Sequence, residues 1–407
     1  MKKRQIRGLV LLASLLVMTG CTKEGTIDNS TDILYANNEN SDDIEATEVE
    51  MSYTVENTER LCEEEKIPVA SKEETYNINI KMVGDCLIHS PLYKAAYQSD
   101  GTYNFDMLFE NVKDDIEAAD LAIINQETIF VADNKNISSY PMFGSPSSVG
   151  DAEVKAGFDI VCHATNHTID KGVQSVIDTA NFWESNYPDI TYLGIHKDAN
   201  DSDIKYITKN NIKLAFVNYT YGLNGLESRR NGYEYSIDML TDSDVDSTIQ
   251  EASNNSDMTI AILHVGTEYV YKPTDYAQQQ VDRCIDDGAD IVICAHPHVV
   301  EPYELRTTAK GNTGVAFYSL GNFVSNQDQL PRLLGGMADI NITKTVNDNE
   351  SETKVNNFTM IPLVTHQERS YFTTYKLEDY NNELASRQKI GGVTVEKLQS
   401  LWNDIIN

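Results

Sequence analysis

The sequence predicts an α/β protein. Short apolar segments typical of buried strands alternate along the chain with segments whose apolar residues have helical spacing. The clearest strand is Ile291–Ala295, five apolar residues in a row that follow Gly288 and precede Pro297. Such runs are typical of parallel sheets covered on both faces, where ligands bind at the carboxyl ends of the strands. Several other predicted strands also end in carboxylate, amide or imidazole side chains.

The first 21 residues have the features of a bacterial lipoprotein signal peptide. A basic segment, residues 1–7, precedes an apolar run, residues 8–18, that is too short to span a bilayer. The run leads into Met18-Thr19-Gly20-Cys21, which resembles the motif for cleavage before a lipidated cysteine. We therefore expect an acyl-anchored protein at the extracytoplasmic face of the bacterial membrane, lipidated on Cys21. An ordinary secretory signal followed by a chance cysteine is the alternative.

Residues 22–75 are expected to form a disordered acidic tether. They contain sixteen Asp and Glu against four Lys and Arg, so they cannot bury enough apolar surface to offset the entropy of ordering. The formal net charge of the whole chain is −31. That charge argues against nucleic acid as a partner and against electrostatic docking on anionic lipids.

The folded part is expected to comprise a domain of residues 76–370, with a C-terminal strand and helix, residues 371–407, packed on it. Apolar runs and alternating patterns predict strands at 77–83, 120–124, 158–162, 190–193, 213–219, 258–263, 291–295, 315–320, 336–343, 357–364 and 371–377. Helical spacing predicts helices at 91–98, 107–119, 147–156, 173–183, 244–254, 275–287 and 394–406. Residues 222–240 are expected to be a loop-rich segment.

Polar residues capable of metal binding or proton transfer lie at or just beyond five of the predicted strands. They are Asp85, His89, Glu127, Asn166, His167, His264, His296 and His298. The set contains five of the eight histidines of the chain. Carboxylates, imidazoles and amide oxygens are ligands of divalent transition metals. We therefore expect a shared metal or catalytic cluster, with hydrogen-bonded structural histidines as the alternative.

Six short motifs occur in a fixed order along the chain. They are Gly84-Asp85, Asn125-Gln126-Glu127, Ala164-Thr165-Asn166-His167, His264-Val265-Gly266-Thr267-Glu268-Tyr269, His296-Pro297-His298 and Tyr318-Ser319-Leu320-Gly321-Asn322-Phe323. This set resembles the CapA (PgsA-type) family of poly-γ-glutamate capsule synthesis proteins over about residues 77–365. The resemblance implies a four-layer α/β/β/α sandwich like that of the calcineurin-like metallophosphoesterases. It also implies a membrane-anchored role in making or exporting poly-γ-glutamate.

The same resemblance implies two divalent metal ions, of manganese, zinc or iron. The ligands it implies are Asp85 and His298 for one ion, Asn166, His264 and His296 for the other, and Glu127 as the bridge. His167 resembles the general acid that protonates a leaving group. The related phosphoesterases begin with Asp-x-His, whereas the first histidine after Asp85 here is His89, four positions on. His89 is accordingly a second candidate catalytic residue.

Three further residues are candidates for substrate binding. Arg229 and Arg230, in the loop-rich segment, have guanidinium groups suited to an anionic polymer or a phosphoester, although solvated loop arginines are the alternative. Asn322 is expected to help close the site. Two classes of function remain open at this point. One is a metal-dependent hydrolase that cleaves a phosphoester or a γ-glutamyl amide. The other is a non-catalytic component that assembles with poly-γ-glutamate synthase subunits.

Overall fold

Strands and helices alternate as predicted in the computed structural model, which describes residues 73–347 and 350–406. The strands are β1 (Glu73–Cys86), β2 (Leu121–Gln126), β3 (Phe130–Val131), β4 (Ser145–Pro146), β5 (Ile160–Cys162), β6 (Thr191–Leu193), β7 (Lys205–Lys209), β8 (Ile212–Thr220), β9 (Met258–His264), β10 (Ile291–Ala295), β11 (Val300–Thr307), β12 (Thr313–Leu320), β13 (Asn322–Val324), β14 (Leu334–Asn347), β15 (Glu350–Gln367) and β16 (Phe372–Lys376). The helices are α1 (Ser90–Ala96), α2 (Lys113–Glu117), α3 (Ser148–Ala156), α4 (Val173–Asn186), α5 (Val245–Asn254), α6 (Asp275–Asp286), α7 (Asn382–Arg387) and α8 (Val395–Ile406). The predicted signal peptide, Cys21 and the tether up to residue 72 lie outside the described residues.

The strands form two large sheets, each with a parallel centre and antiparallel flanks. The first has the order β16-β15-β14-β1-β2-β5-β6, with β13 also pairing with β1. Its strands β1, β2, β5 and β6 run parallel, and β14 to β16 are antiparallel. The second sheet has the order β11-β12-β10-β9-β8-β7, with β12, β10, β9 and β8 parallel. The carboxyl ends of the parallel strands in each sheet therefore lie together at one edge.

The predicted four-layer sandwich is confirmed by three apolar cores. One core lies between the two sheets and joins Ile80 of β1 to Ile291 and Ile293 of β10. A second core packs α1 to α4 against the outer face of the first sheet. A third packs α5 and α6 against the outer face of the second sheet, where Val292 and Cys294 point. Alternate residues of β10 therefore enter different cores, which explains why the whole run is apolar.

The predicted helix at 107–119 is wrong in part. The chain forms a 3₁₀ turn, Asp106–Leu108, and then the five-residue helix α2. The amide of Val112 bonds to the carbonyl oxygen of Phe109, three residues back, at 3.1 Å. The Asn111 side chain between these turns donates to Thr373 Oγ1 of β16 at 2.9 Å. The apolar residues are buried as predicted, but the tighter turns and the contact with β16 interrupt the helix.

The ends of the described region extend beyond the predicted elements. β1 begins at Glu73, so residues 73–75 are strand residues, paired with 345–347 of β14, and do not belong to the tether. At the other end, β16, α7 and α8 surround a fourth apolar core that includes Val364 and Leu398. The four cysteines among the described residues are buried free thiols. No helix in the described part of the chain is both long and apolar enough to cross a membrane.

Candidate metal centre

The structure brings the carboxyl ends of five parallel strands or their following loops into contact. Six predicted metal ligands meet there, and we call them the histidine cluster: Asp85 near the end of β1, Glu127 after β2, Asn166 after β5, His264 at the end of β9, and His296 and His298 after β10. Each of the six side chains is at most 3 % exposed. Sequence position alone had predicted this convergence, and the two stacked sheets produce it because their parallel strands end at the same side of the molecule.

Gly84 fixes the position of Asp85. A Cβ atom at Gly84 would lie 2.0 Å from the backbone oxygen of Gly321, so no other residue fits beside that chain. The close approach lets the Asp85 amide donate to the same oxygen at 2.9 Å. The pairing of β1 with β2 shifts register between Val83 and Asp85. This irregularity turns the Asp85 carboxylate into the cluster.

The Asp85 carboxylate makes its hydrogen bonds with two members of the histidine cluster and with the adjacent Asn125. Its Oδ2 lies 3.0 Å from His298 Nδ1 and accepts from the His296 amide at 3.3 Å. Its Oδ1 accepts from Asn125 Nδ2 at 2.8 Å. The Nδ1 of His298 also lies 3.1 Å from Asn322 Oδ1. In this arrangement Asp85 orients His298 and leaves its Nε2 as the atom directed toward Glu127.

Glu127 is the unpaired carboxylate of the cluster. Neither of its buried oxygens has a hydrogen-bond partner. Its Oε1 lies 3.7 Å from His298 Nε2 and 3.8 Å from His264 Nε2. Burial, and then repulsion from Asp85, raises the pKa of Glu127 well above its usual range. A buried carboxylate without a donor is costly, so this position is complementary to a cation.

His264 is held between two side-chain amides. Its Nε2 lies 2.9 Å from Asn166 Oδ1, and its Nδ1 lies 3.3 Å from Asn125 Nδ2. The amide of Asn166 is held in turn by Asn224 Oδ1 at 3.2 Å. Burial, followed by the nearby His296, lowers the pKa of His264 well below its usual value. The imidazole is therefore neutral at pH 7, the form that binds metals.

The His296-Pro297-His298 turn places two imidazoles toward the same point. Both histidines have left-handed backbone conformations, with φ of 105° at His296 and 57° at His298. The His296 ring lies 4.8 Å from the His264 ring, and its buried Nδ1 has no hydrogen-bond partner. Burial lowers the pKa of His296 well below its usual value. The turn thus presents another neutral, unpaired nitrogen to the cluster.

These residues fit a divalent metal ion. One ligand atom each from Glu127, His296 and His298 lies within 4.8 Å of the other two. The carboxylate oxygens and one imidazole nitrogen of this group are buried without partners, which a bound cation would satisfy. Two imidazoles and one carboxylate are a common ligand set for zinc, manganese and iron. The identity and the number of the ions stay predictions.

His167 adjoins the cluster and is oriented by a carboxylate. Its Nδ1 lies 2.7 Å from Asp170 Oδ2, which also accepts from the Phe143 amide at 2.7 Å. The Phe143 ring packs edge-on against His167, with centroids 4.7 Å apart. With Nδ1 bonded to Asp170, the Nε2 atom of His167 is the one available for proton transfer.

His89 and His163 have different surroundings. His89 also packs edge-on against Phe143, with centroids 5.2 Å apart, and its Nδ1 accepts from the Asn326 amide at 3.3 Å. Burial lowers the pKa of His89 to about 4. His163 Nε2 accepts from Trp183 Nε1 at 2.8 Å within an apolar core. His163 is therefore a structural histidine.

All three predicted substrate-binding residues make hydrogen bonds within the protein. Arg230 is buried and bonded to Asp242 at 3.2 Å and to the backbone of Glu234. It lines a separate cavity and is not in the histidine cluster, and its role in substrate binding stays a prediction. Asn322 Oδ1 lies 3.1 Å from His298 Nδ1, and Asn322 Nδ2 donates to the His298 backbone oxygen at 3.2 Å. Asn322 therefore supports the His298 side chain. Arg229 donates to the backbone oxygen of Asp170 at 2.8 Å and so braces the turn after His167.

The structure also identifies residues that the sequence did not. Asn125 links Asp85 to His264, and Asp170 orients His167; their closeness in sequence to Glu127 and His167 was the available signal. The guanidinium of Arg332 lies 3.6 Å from the centroid of the Tyr269 ring, which in turn lies 6.1 Å from the His298 ring. Arg332 lies nine positions beyond the last motif and belongs to none of the six, so only the fold reveals its place beside Tyr269.

Comparison with known proteins agrees with the sequence motifs. The model of the family described as bacterial capsule synthesis protein PGA_cap matches residues 79–327, more than half of the chain. The capsule biosynthesis protein CapA of Bacillus anthracis is 24 % identical over 272 residues, which cover 65 % of this chain and 63 % of that protein. The PGA biosynthesis protein CapA of Bacillus subtilis (strain 168) is 32 % identical over 178 residues, which cover 42 % of this chain and 43 % of that protein.

The matches thus span less than two thirds of the length of either curated relative. Among solved structures, a novel phosphatase from Mycoplasma pneumoniae is similar with a TM-score of 0.42 and 14 % identity, covering 73 % of this chain and 97 % of that one. The family resemblance carried by the six sequence motifs is confirmed by the match over residues 79–327. The chain belongs to the bacterial capsule synthesis protein family PGA_cap.

Proposed function

We propose that this protein is a lipid-anchored, extracytoplasmic component of poly-γ-glutamate capsule synthesis or export whose histidine cluster is a metal-dependent hydrolase centre. The observation that carries the hydrolase proposal is the unpaired carboxylate of Glu127, buried beside His296 and His298. Membership of the PGA_cap family and the names of the two Bacillus relatives support the role in capsule synthesis. The signal sequence ending at Cys21 supports the anchor and the location.

The chemistry proposed for the centre divides between the metal and the chain. A bound divalent ion lowers the pKa of a coordinated water and stabilises negative charge at the scissile group. Glu127, His264, His296 and His298 would hold it, while Asp85 keeps the ring of His298 in place. The available Nε2 of His167 is suited to give a proton to the leaving group.

Arg332 replaces Arg230 in this proposal as the residue that recognises anionic substrate. It stacks on Tyr269 next to His298, and its buried Nε has no hydrogen-bond partner. A guanidinium in that position can bind the carboxylates of poly-γ-glutamate or the oxygens of a phosphoester. Both substrates remain within the proposal, and nucleic acid is disfavoured by the net charge of −31.

A second candidate function is a non-catalytic assembly component, partnered with poly-γ-glutamate synthase subunits. The observation that favours it is the burial of the centre. The six residues of the histidine cluster are at most 3 % exposed and His167 is 6 % exposed, so a polymer must displace protein to reach them. In that case the metal would stabilise the fold and the surface would carry the function.

Metal content and turnover of the full chain, purified from membranes in detergent, distinguish the two functions. The wild type is compared with a His296→Ala/His298→Ala double variant and with His366→Asn as the matched control. His366 is also a buried histidine, bonded to Tyr380 at 2.8 Å, but it lies outside the cluster. Each protein is assayed on a generic phosphodiester and on poly-γ-glutamate, with added manganese or zinc.

Stoichiometric metal that is lost only in the double variant, together with turnover of either substrate, is expected for the hydrolase and selects its chemistry. Metal without turnover would favour the assembly function. A folded wild type that neither binds metal nor turns over either substrate would refute the metal-dependent centre. Membrane fractionation of the wild type and a Cys21→Ala variant tests the anchor, which predicts release of the variant.

A further inference from the structure

A second group of metal-ligand side chains lies outside the histidine cluster. His196, Asp203 and Asp238 each offer one ligand atom, and these atoms lie within 4.8 Å of one another. The group opens into a cavity of about 310 Å³, which we call the acidic cavity. No sequence motif had marked it, because its members come from two segments, the loop between β6 and β7 and the segment between β8 and α5. The question is whether this group is a closed ion pair or an additional cation site.

The backbone holds the two buried members of the group in place. His196 follows β6, and its amide donates to the Ser236 oxygen at 3.0 Å. The Asp238 amide donates to the Gly194 oxygen at 3.1 Å, and its own backbone oxygen accepts from Thr220 at the end of β8. These main-chain bonds tie the loop after β6 to the segment that carries Asp238 and to the end of β8, and so fix the backbone at both residues.

One carboxylate oxygen of the group is left without a partner. Asp238 Oδ1 lies 2.8 Å from His196 Nε2, and Asp203 Oδ1 lies 3.5 Å from the same nitrogen. Asp238 Oδ2 is buried, has no hydrogen-bond partner, and belongs to a residue that is only 6 % exposed and lines the cavity. His196 is 2 % exposed. A single imidazole therefore does not satisfy the two carboxylates that face it.

The charge of the cavity wall is strongly negative. The acidic residues that line it are Asp201, Asp203, Glu234, Asp238, Asp242 and Asp244, and the single lysine or arginine among the lining residues is Arg230. The Arg230 guanidinium is already bonded to Asp242 and to the Glu234 backbone oxygen. The positive charge of Arg230 therefore balances Asp242. It does not balance Asp203 and Asp238, which retain excess negative charge.

We propose that His196, Asp203 and Asp238 bind a divalent cation, separate from any ion of the histidine cluster. One imidazole and two carboxylates favour Mn²⁺ or Zn²⁺ over Ca²⁺, which prefers six to eight oxygen ligands. The site joins the end of β6 to the segment that carries Asp238, and so its role is to stabilise this part of the fold. The proposal does not depend on catalysis at the histidine cluster.

The test uses the full chain carrying His296→Ala/His298→Ala, so that the histidine cluster does not contribute. Binding of Mn²⁺ and Zn²⁺, with Ca²⁺ as the contrasting ion, is measured by equilibrium dialysis and by the shift of the thermal midpoint. Asp238→Asn and the more exposed Asp203→Asn remove ligand charges. Asp244→Asn removes an equal charge from the cavity wall without touching the group, and is the matched control.

The expected result is one equivalent of Mn²⁺ or Zn²⁺ bound by the double variant and by its Asp244→Asn derivative. Either ligand substitution should weaken this binding at least about tenfold and abolish the thermal shift. A double variant that binds no ion, or whose binding survives both ligand substitutions, would show that the group is only a buried ion pair. Circular dichroism establishes whether each variant is folded. If Asp238→Asn does not fold, Asp203→Asn still tests the site.

Discussion

Replacing Glu127 by Gln should change the stability of the protein in opposite directions without and with metal. Gln has nearly the same volume as Glu but carries no charge. In metal-free wild type, the Glu127 carboxyl is buried with both oxygens unpaired and its pKa is raised well above the usual range. The folded state therefore favours the protonated carboxyl more than the unfolded chain does, where the group ionises at a pH of about 4.3. Stability is lost as the pH rises above that value.

The size of this free-energy cost follows from the difference between pH 7 and the pKa of the unfolded carboxyl. At about 1.4 kcal/mol per pH unit, taking up a proton at pH 7 costs the wild type at most about 4 kcal/mol of unfolding free energy. The side-chain amide that Glu127→Gln introduces avoids that cost, but it carries one more donor than a protonated carboxyl, and leaving that donor without a partner costs roughly 2 kcal/mol. In EDTA we expect Glu127→Gln to be more stable than the wild type by about 2 kcal/mol.

Metal reverses the comparison because the cation pairs with the carboxylate. An ion present at a hundred times its dissociation constant stabilises the wild type by about 2.7 kcal/mol, whereas the variant lacks the ligand charge. Urea unfolding of both proteins in EDTA and in excess Mn²⁺ or Zn²⁺ measures the four free energies. If Glu127→Gln is destabilised equally in both conditions, the carboxylate is not a metal ligand and the reasoning is wrong.

Three further predictions concern other buried groups. Burial raises the pKa of Glu301 to about 8, so the wild type should lose stability as the pH rises from 5 to 8. Glu301→Gln should remove roughly 2 to 4 kcal/mol of that loss, measured by urea unfolding. Equal pH dependence of stability in both proteins would contradict this prediction. Gly84→Ala places a Cβ against a backbone oxygen at 2.0 Å and should cost more than about 3 kcal/mol in thermal unfolding, whereas Gly391→Ala, with open space around it, should be nearly neutral. Asp170→Asn removes the carboxylate that orients His167 and should lower kcat about a hundredfold with metal content unchanged; an unaltered kcat would exclude His167 as the general acid.

The parts of the fold that the sequence predicts best are the buried central strands. β10 matches its predicted bounds because both of its faces enter apolar cores, which leaves a continuous apolar run in the sequence. The strands that were missed include β7 and β11, which are the two edges of the second sheet. Edge strands carry charged residues, such as Lys205 and the exposed Glu304, and so resemble loops in sequence.

The residues of the candidate site could be named from their strand ends, but their roles could not. The resemblance assigns Asp85 to a metal, and the structure adds that its carboxylate contacts His298, His296 and Asn125. Arg230 was a candidate for substrate binding on its residue type, and the structure adds a contact with Asp242, twelve positions away. Such roles depend on distances between groups far apart in the chain, on which local pattern carries no information.

The left-handed backbone of His296 and His298 bears on which ions the centre accepts. Each such residue costs about 1 to 2 kcal/mol relative to ordinary backbone, and Pro297 between them has a fixed φ. The turn therefore loses its conformational entropy on folding, before any ion binds. Because the turn is rigid, it selects among ions by the coordination geometry that each ion prefers. Ions whose preferred bond angles differ from those of the preset imidazoles should be rejected even when their charge and size are suitable.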